Sequence, residues 1–254
     1  MSWEHSASLV ARRPDTSRHP ADVPRAPSIE LSILVPAFNE AATVATVLRR
    51  ALEACPKAEI IVVDDGSTDA TAIEIASVVT ERVRLIRHSR NRGKGAAIRT
   101  ALAHARGRFC IVQDADLEYS PSDFGALVAV ARAGAPVVYG SRFLERAWPN
   151  GMTAPHWLAN RLLTLTANAV YGLRITDEAT CLKLFRTELL RQLDLRANGF
   201  DFCPEVTAKL GRLGVPVVEV PIAYEARTAR EGKKIRWTDG VVAATTLLVH
   251  RLAA

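Results

Sequence analysis

Short apolar runs rich in β-branched residues recur along the first half of the chain, each followed by a turn and then by apolar residues at helical spacing. The first is Leu31-Ser32-Ile33-Leu34-Val35-Pro36, with a helix predicted from Ala41 to Ala54. The second, Glu59-Ile60-Ile61-Val62-Val63, ends in Asp64-Asp65-Gly66-Ser67-Thr68-Asp69 and leads into a helix predicted from Ala70 to Thr80. Arg82-Val83-Arg84-Leu85-Ile86-Arg87 alternates charged and apolar residues, as a more exposed strand does, ahead of Asn91-Arg92-Gly93-Lys94-Gly95 and an Ala-rich helix from Ala96 to Ala105. Phe109-Cys110-Ile111-Val112 follows, then a helix from Pro121 to Ala133, then Pro136-Val137-Val138-Tyr139-Gly140. This alternation predicts an α/β fold: a mainly parallel sheet, flanked by helices on both faces, that binds ligands beyond the carboxyl ends of its strands.

The fourth run stops abruptly at Gln113-Asp114-Ala115-Asp116-Leu117-Glu118. Unpartnered carboxylates are costly to bury, so these acids mark the strand end. Side chains two apart on an extended backbone point to one side, so Asp114, Asp116 and Glu118 are expected to converge on one cation. Oxygen-only ligands suit Mg²⁺ or Mn²⁺, which complete their shells with water and substrate phosphates. One Asp-x-Asp is also common in solvated turns; its weight here comes from Asp64, Asp65 and Arg142 at two other strand ends. Lys94 and the glycines around it form an anion site or only a turn.

The second half is less regular. A loop and helix from Trp148 to Gly172 carry Asn160, Arg161, Thr164 and Asn168 at spacings that share a face. Thr176-Asp177-Glu178-Ala179-Thr180-Cys181 reads as a polar turn before the extended Leu182-Lys183-Leu184-Phe185. Asp177 and Glu178 there are either helix-terminal turn residues or, for a neutral hydroxyl acceptor, a general base. A helix from Gly199 to Leu213, a strand from Val215 to Val220 that Pro216 assigns to an edge, and a basic stretch from Arg227 to Arg236 follow. His156, Trp148, Trp157 and Trp237 either border an acceptor groove or pack internally.

The 254 residues accommodate one large domain. The N-terminal residues 1–28, rich in Arg and Pro, are expected to be a disordered basic tail, and 239–254 an amphipathic C-terminal helix. A net charge of +6 and a pI near 9.4 favour anionic partners: nucleic acid, an anionic membrane or phosphorylated substrates. The acids at three strand ends would repel a nucleic-acid backbone and argue against that class. No apolar run is long enough to cross a bilayer, and the four scattered cysteines read as reduced, mostly structural thiols of a cytoplasmic protein.

Taken together, Val35-Pro36-Ala37-Phe38-Asn39-Glu40, Val63-Asp64-Asp65-Gly66-Ser67-Thr68-Asp69, Asn91-Arg92-Gly93-Lys94-Gly95, Asp114-Ala115-Asp116-Leu117-Glu118 and Gly140-Ser141-Arg142 resemble the inverting GT-A nucleotide-sugar glycosyltransferases, in particular the dolichol- or polyprenyl-phosphate mannosyltransferase branch. The resemblance covers residues 31–145 and continues more loosely to 237. It implies a GT-A domain over 29–238 that moves a hexose, first of all mannose from GDP-mannose, onto a polyprenyl phosphate from the cytoplasm or at the inner membrane face, with peripheral membrane association. By the same resemblance Pro36, Phe38, Glu40, Asp64 and Asp65 cradle the nucleotide, and Asp114, Asp116 and Glu118 serve the metal. Lys94, Arg142, Arg161, Arg227, Arg230, Lys233 and Lys234 would meet donor or acceptor phosphates. Glu118 departs from the glutamine commoner in the family, which puts metal choice in question. A UDP- or dTDP-sugar enzyme with a soluble hydroxyl acceptor is the alternative the same motifs allow.

Overall fold

A computed structural model describes residues 29–227 and 237–252. The expected N-terminal tail, the basic residues Arg230, Lys233 and Lys234, and the Trp237 side chain lie outside the described residues.

The first half follows the sequence pattern closely. Strand β1 (Leu31–Ala37) leads to helix α1 (Val44–Ala54), β2 (Glu59–Asp64) to α2 (Thr71–Ala76), and β3 (Val83–Arg87) to α3 (Lys94–His104). β4 (Phe109–Val112) is followed by a 3-10 turn at Pro121–Asp123, α4 (Phe124–Arg132) and β5 (Val137–Ser141). Helix α2 is shorter than predicted, because Ser77 to Val79 turn and Thr80 bridges back to Val83 at the start of β3. The second half adds α5 (Ala154–Tyr171), β6 (Lys183–Arg186), α6 (Thr187–Gln192), α7 (Phe202–Arg212), β7 (Val217–Pro221) and α8 (Trp237–Leu252). Helix α6 was not signalled by the sequence pattern.

The seven strands form one sheet in the order β3-β2-β1-β4-β6-β5-β7. All neighbours run parallel except β6, which pairs antiparallel with both β4 and β5. β3 and β7 are the edges, matching the alternating charge of one and the proline before the other. The inner strands are buried on both faces, which is why they read as continuous apolar runs. Alternate residues of β1 enter opposite cores: Ile33 and Val35 pack with Val44 and Leu48 of α1, while Leu34 packs with Ala97 and Ile98 of α3 and with Val206 of α7. Ile33 is completely buried, and truncating such a side chain to alanine typically costs about 2–5 kcal/mol. This two-sided burial fixes where β1, β2 and β4 end.

Candidate active site

Beyond those strand ends lies a cavity of about 940 Å³. Pro36, Phe38 and Glu40 line it from the end of β1, Asp65 from β2, and Asp114, Asp116 and Glu118 from β4. Lys94, Arg142 and Arg227 complete its polar wall.

The adjacent acids of β2 have different positions. Asp65 accepts hydrogen bonds from the backbone N–H groups of Arg92 (2.9 Å) and Gly93 (2.7 Å) and contacts His88 Nδ1 at 2.6 Å. It therefore braces the turn that opens α3 and aims Lys94. Gly93 has φ 97° and a Cβ there would overlap the Asn198 carbonyl, so this turn requires glycine. Asp64 does not line the cavity: it is fully buried, accepts the Ser67 N–H at 2.9 Å and faces Arg87 Nε at 3.0 Å. The strand's period of two turns the Asp64 side chain away from that of Asp65.

The acidic strand end also differs from expectation. β4 stops at Val112 and residues 115–118 bend, so the alternation that would have aligned Asp114, Asp116 and Glu118 is lost. Among the described residues no group of three or more His, Cys, Asp or Glu side chains gathers as a metal cage. Instead Asp114 Oδ1 meets Lys94 Nζ at 2.6 Å and Asp116 Oδ2 meets Arg227 Nη2 at 2.7 Å. Asp116 also accepts the Glu118 N–H at 3.0 Å, closing the bend, and Glu118 accepts the Arg227 N–H at 2.8 Å and the Tyr224 hydroxyl at 3.3 Å. Arg227 further reaches Glu40 at 3.0 Å.

Burial opposes the charge on Asp114, yet the Lys94 ammonium beside it holds its carboxyl below the usual range. Burial and the neighbouring Asp114 charge push Asp116 up to about 7, against the pull of Arg227. Glu40, Asp114, Asp116 and Glu118 thus face Lys94 and Arg227, an acid-rich balance with hard oxygen donors. That donor set fits a Mg²⁺ or Mn²⁺ held by Asp114 and Asp116 and completed by substrate phosphate.

Arg142, at the end of β5, is clamped by Asp177: Nε and Nη2 bond to its two oxygens at 2.7 Å each, and the Arg142 N–H donates to it at 3.0 Å. Asn160 Oδ1 accepts from Nη2 at 2.9 Å. Both partners are almost completely buried. Asp177 is held in turn by Glu219 of β7, whose Oε1 accepts its N–H at 3.0 Å. Glu178 donates its N–H to Thr164 Oγ1 at 3.0 Å; its side chain is fully buried at the cavity wall, and burial raises its carboxyl above the usual range. Asn160, Thr164 and Asn168 do share the inner face of α5, whereas Arg161 points aside, with its guanidinium 5.5 Å from the Phe143 ring centre and outside the cavity wall.

The cavity is continuous with an apolar trough between α5 and α8. Ala159, Leu162 and Leu163 form one side, and Val241, Ala244 and Leu248 the other. Leu162 and Leu248 are about half exposed, with Leu158, Leu165, Val242 and Val249 on the same two helices also exposed. Trp148 stacks on Trp157 at 5.1 Å near the N-terminal end of α5. Among the described residues no helix is long and apolar enough to cross a membrane.

Sequence reasoning overlooked His88, Tyr119 and Tyr224. Tyr119 and Tyr224 bridge across the site with rings 5.5 Å apart, and the Tyr119 hydroxyl accepts the Cys181 N–H at 3.4 Å. Only the position of Tyr119 directly after the acidic run offered a signal for it.

The chain aligns with characterised proteins over most of its length. It is 32% identical to polyprenol monophosphomannose synthase of Mycolicibacterium smegmatis, over 79% of each chain. It is 29% identical to undecaprenyl-phosphate mannosyltransferase of Micrococcus luteus, over 86% of this chain and 91% of that protein. Its fold superposes on glucosyl-3-phosphoglycerate synthase of Mycobacterium tuberculosis, crystallised with Mn²⁺, uridine diphosphate and glucosyl-3-phosphoglycerate, with a TM-score of 0.65 and 20% identity over 89% of this chain and 79% of that one. The fold is GT-A. The sequence model described as Glycosyl transferase family 2 matches residues 32–194, and the chain belongs to that family of glycosyltransferases.

Proposed function

We propose that this chain transfers a hexose from a nucleotide-sugar donor to a polyprenyl phosphate, with mannose from GDP-mannose as the first donor to test. The observation that carries this reading is the continuity of one cavity from an ionic end at β1, β2 and β4 to the apolar trough between α5 and α8. A phosphorylated isoprenoid needs both surfaces: cations and a metal for its head, apolar walls for its chain. The names of the two aligned mannosyl enzymes support the same acceptor class.

Pro36, Phe38, Glu40 and Asp65 border the pocket in which the nucleotide would sit, with Lys94 and Arg227 directed at its diphosphate. A divalent cation bound through Asp114 and Asp116 would offset the charge that develops on the departing nucleoside diphosphate. Arg227 would exchange its carboxylate contacts for phosphate, and Arg142, already neutralised by Asp177, would meet a second anion only through its remaining N–H donors. An acceptor phosphate is already ionised at neutral pH, so the chain's task is alignment for in-line attack and inversion rather than proton removal.

The state of Asp177 and Glu178 supports that view over a soluble hydroxyl acceptor. Asp177 is fully engaged by Arg142 and does not line the cavity, so it is not set as a general base; Glu178 borders the cavity with a buried carboxyl that burial pushes toward its neutral form, which disfavours it as a base. The exposed apolar faces of α5 and α8 and the Trp148–Trp157 stack support peripheral contact with a membrane at the cytoplasmic face. Nucleic acid is not part of the reading, because the cavity is acid-lined.

The test is transfer of radiolabelled mannose from GDP-mannose to a short polyprenyl phosphate with Mg²⁺ or Mn²⁺, comparing wild type with Asp116→Ala. Metal-dependent label in the lipid fraction, absent in the variant, is expected. Label that instead appears only with a UDP-sugar and a water-soluble acceptor would replace this reading with the hydroxyl-acceptor one.

A further inference from the structure

Two cysteines that the transfer chemistry does not use meet in the cavity wall. Cys181 follows the polar turn before β6, and its Sγ lies 2.9 Å from Lys94 Nζ. Cys203 sits in the first turn of α7, where its Sγ donates to the carbonyl of Thr180 at 3.7 Å, placing it against the residue that precedes Cys181. Cys203 Sγ thus packs beside the Thr180–Cys181 backbone, and both cysteines line the cavity, so a small solute that enters can reach them. Cys55 and Cys110 lie elsewhere, the first at the end of α1 and the second inside β4.

We propose that Cys181 and Cys203 are a redox-modifiable dithiol, closing to a disulfide when a low-molecular-weight disulfide enters the cavity. The Cys203 sulfur is the attacking group: the neighbouring Cys181 and the Lys183 and Lys94 charges hold it below the usual thiol range against the effect of burial, and it sits in the first turn of α7. Its thiolate attacks one sulfur of the oxidant, forming a mixed disulfide and expelling one thiolate. Cys181, giving its proton to water, then attacks the Cys203 sulfur and expels the second half of the oxidant. Two protein thiols have lost two electrons and two protons; one small disulfide has become two thiols.

A disulfide holds its sulfurs at about 2.05 Å, closer than any hydrogen-bonded thiol pair. Closing it draws the Cys181 sulfur off Lys94, and Lys94 is the counter-ion of Asp114 at 2.6 Å. The bond is therefore sensed at the acidic strand end. Only this last step rests on the transfer reaction proposed above.

The experiment treats the full chain with oxidised glutathione, blocks remaining thiols with N-ethylmaleimide, and measures intact mass and tryptic peptides. Wild type should lose two blockable thiols, lower its unblocked mass by two hydrogens, and yield a crosslinked Cys181–Cys203 peptide that dithiothreitol releases. Cys181→Ser and Cys203→Ser should each lack that peptide. Wild type that keeps glutathione adducts, that links Cys55 or Cys110 instead, or that leaves both thiols blockable would overturn the proposal. In the second arm, mannosyl transfer should fall at least tenfold on oxidation and recover on reduction, while Cys203→Ser keeps its own starting rate throughout. A disulfide with an unchanged rate would refute the coupling through Lys94. A disulfide in a protein that transfers no sugar even when reduced would sink the transfer reading and leave the dithiol standing.

Discussion

Two arginines border the same cavity in opposite circumstances. Arg142, at the end of β5, is held by both oxygens of one buried aspartate that serves nothing else on the cavity side. Arg227, beyond β7, is shared between Glu40 and Asp116, which come from the ends of β1 and β4. The first pair is a closed, neutral unit whose geometry the fold dictates. The second is an open one, because its acids are the groups that a metal and a nucleotide would claim. The same side chain is thus a structural tie in one place and an exchangeable counter-ion in the other.

The contrast predicts unequal effects. Asp177→Ala leaves a buried guanidinium uncompensated and should cost about 3–5 kcal/mol in urea denaturation; a loss below about 1 kcal/mol would show that Arg142 has another anchor. Arg227→Met should lower sugar transfer by roughly 10²-fold or more, as loss of a charge-stabilising donor does. It should also tighten Mn²⁺ binding in the absence of nucleotide, read from the free-ion paramagnetic resonance signal. Weaker binding would mean that Arg227 supports the metal site rather than standing in for it.

A smaller effect concerns pH. Burial and Asp114 push Asp116 up to about 7, above the unfolded value of roughly 3.9. The folded chain therefore holds the extra proton between those values, and the metal-free protein loses stability as pH rises through that window. Mn²⁺ uptake, which needs the carboxylate, strengthens as pH passes 7. Asp116→Asn should flatten that part of both profiles. Smallest of all, Arg161→Ala should change stability by about 1 kcal/mol or less, since among the described residues its contact is the Phe143 ring, and transfer should stay within a factor of two; a large loss would return Arg161 to the phosphate site.

The half of the molecule around Arg227's acids was far more legible in the sequence than the half around Arg142. β1, β2 and β4 are covered on both faces, so their runs of Ile, Val and Leu announce them, and the acids that stop them announce the site. Local pattern carries no information on what an acid faces. Lys94 and Asp114 are far apart in the chain, as are Arg227 and Asp116, and only the assembled sheet pairs them. Around Asp114, Asp116 and Glu118 the pattern marks where β4 ends but not that the backbone bends there. β6 is legible as an extended run from Leu182 to Phe185, but its four residues do not reveal that it runs antiparallel between β4 and β5, the placement that brings Asp177, Glu178 and Cys181 to the site.

The reversed strand also sets an order of events while the chain is being made. β5 has neighbours only in β6 and β7, both of which lie later in the sequence. As the N-terminal part leaves the ribosome, β1 to β4 can assemble, but Val137–Ser141 has no edge to join until Lys183–Arg186 has emerged. The nascent protein thus passes through a stage with its acids in place and Arg142 without Asp177. A translational pause before β6 emerges would prolong that stage, and the emergence of β6 would end it.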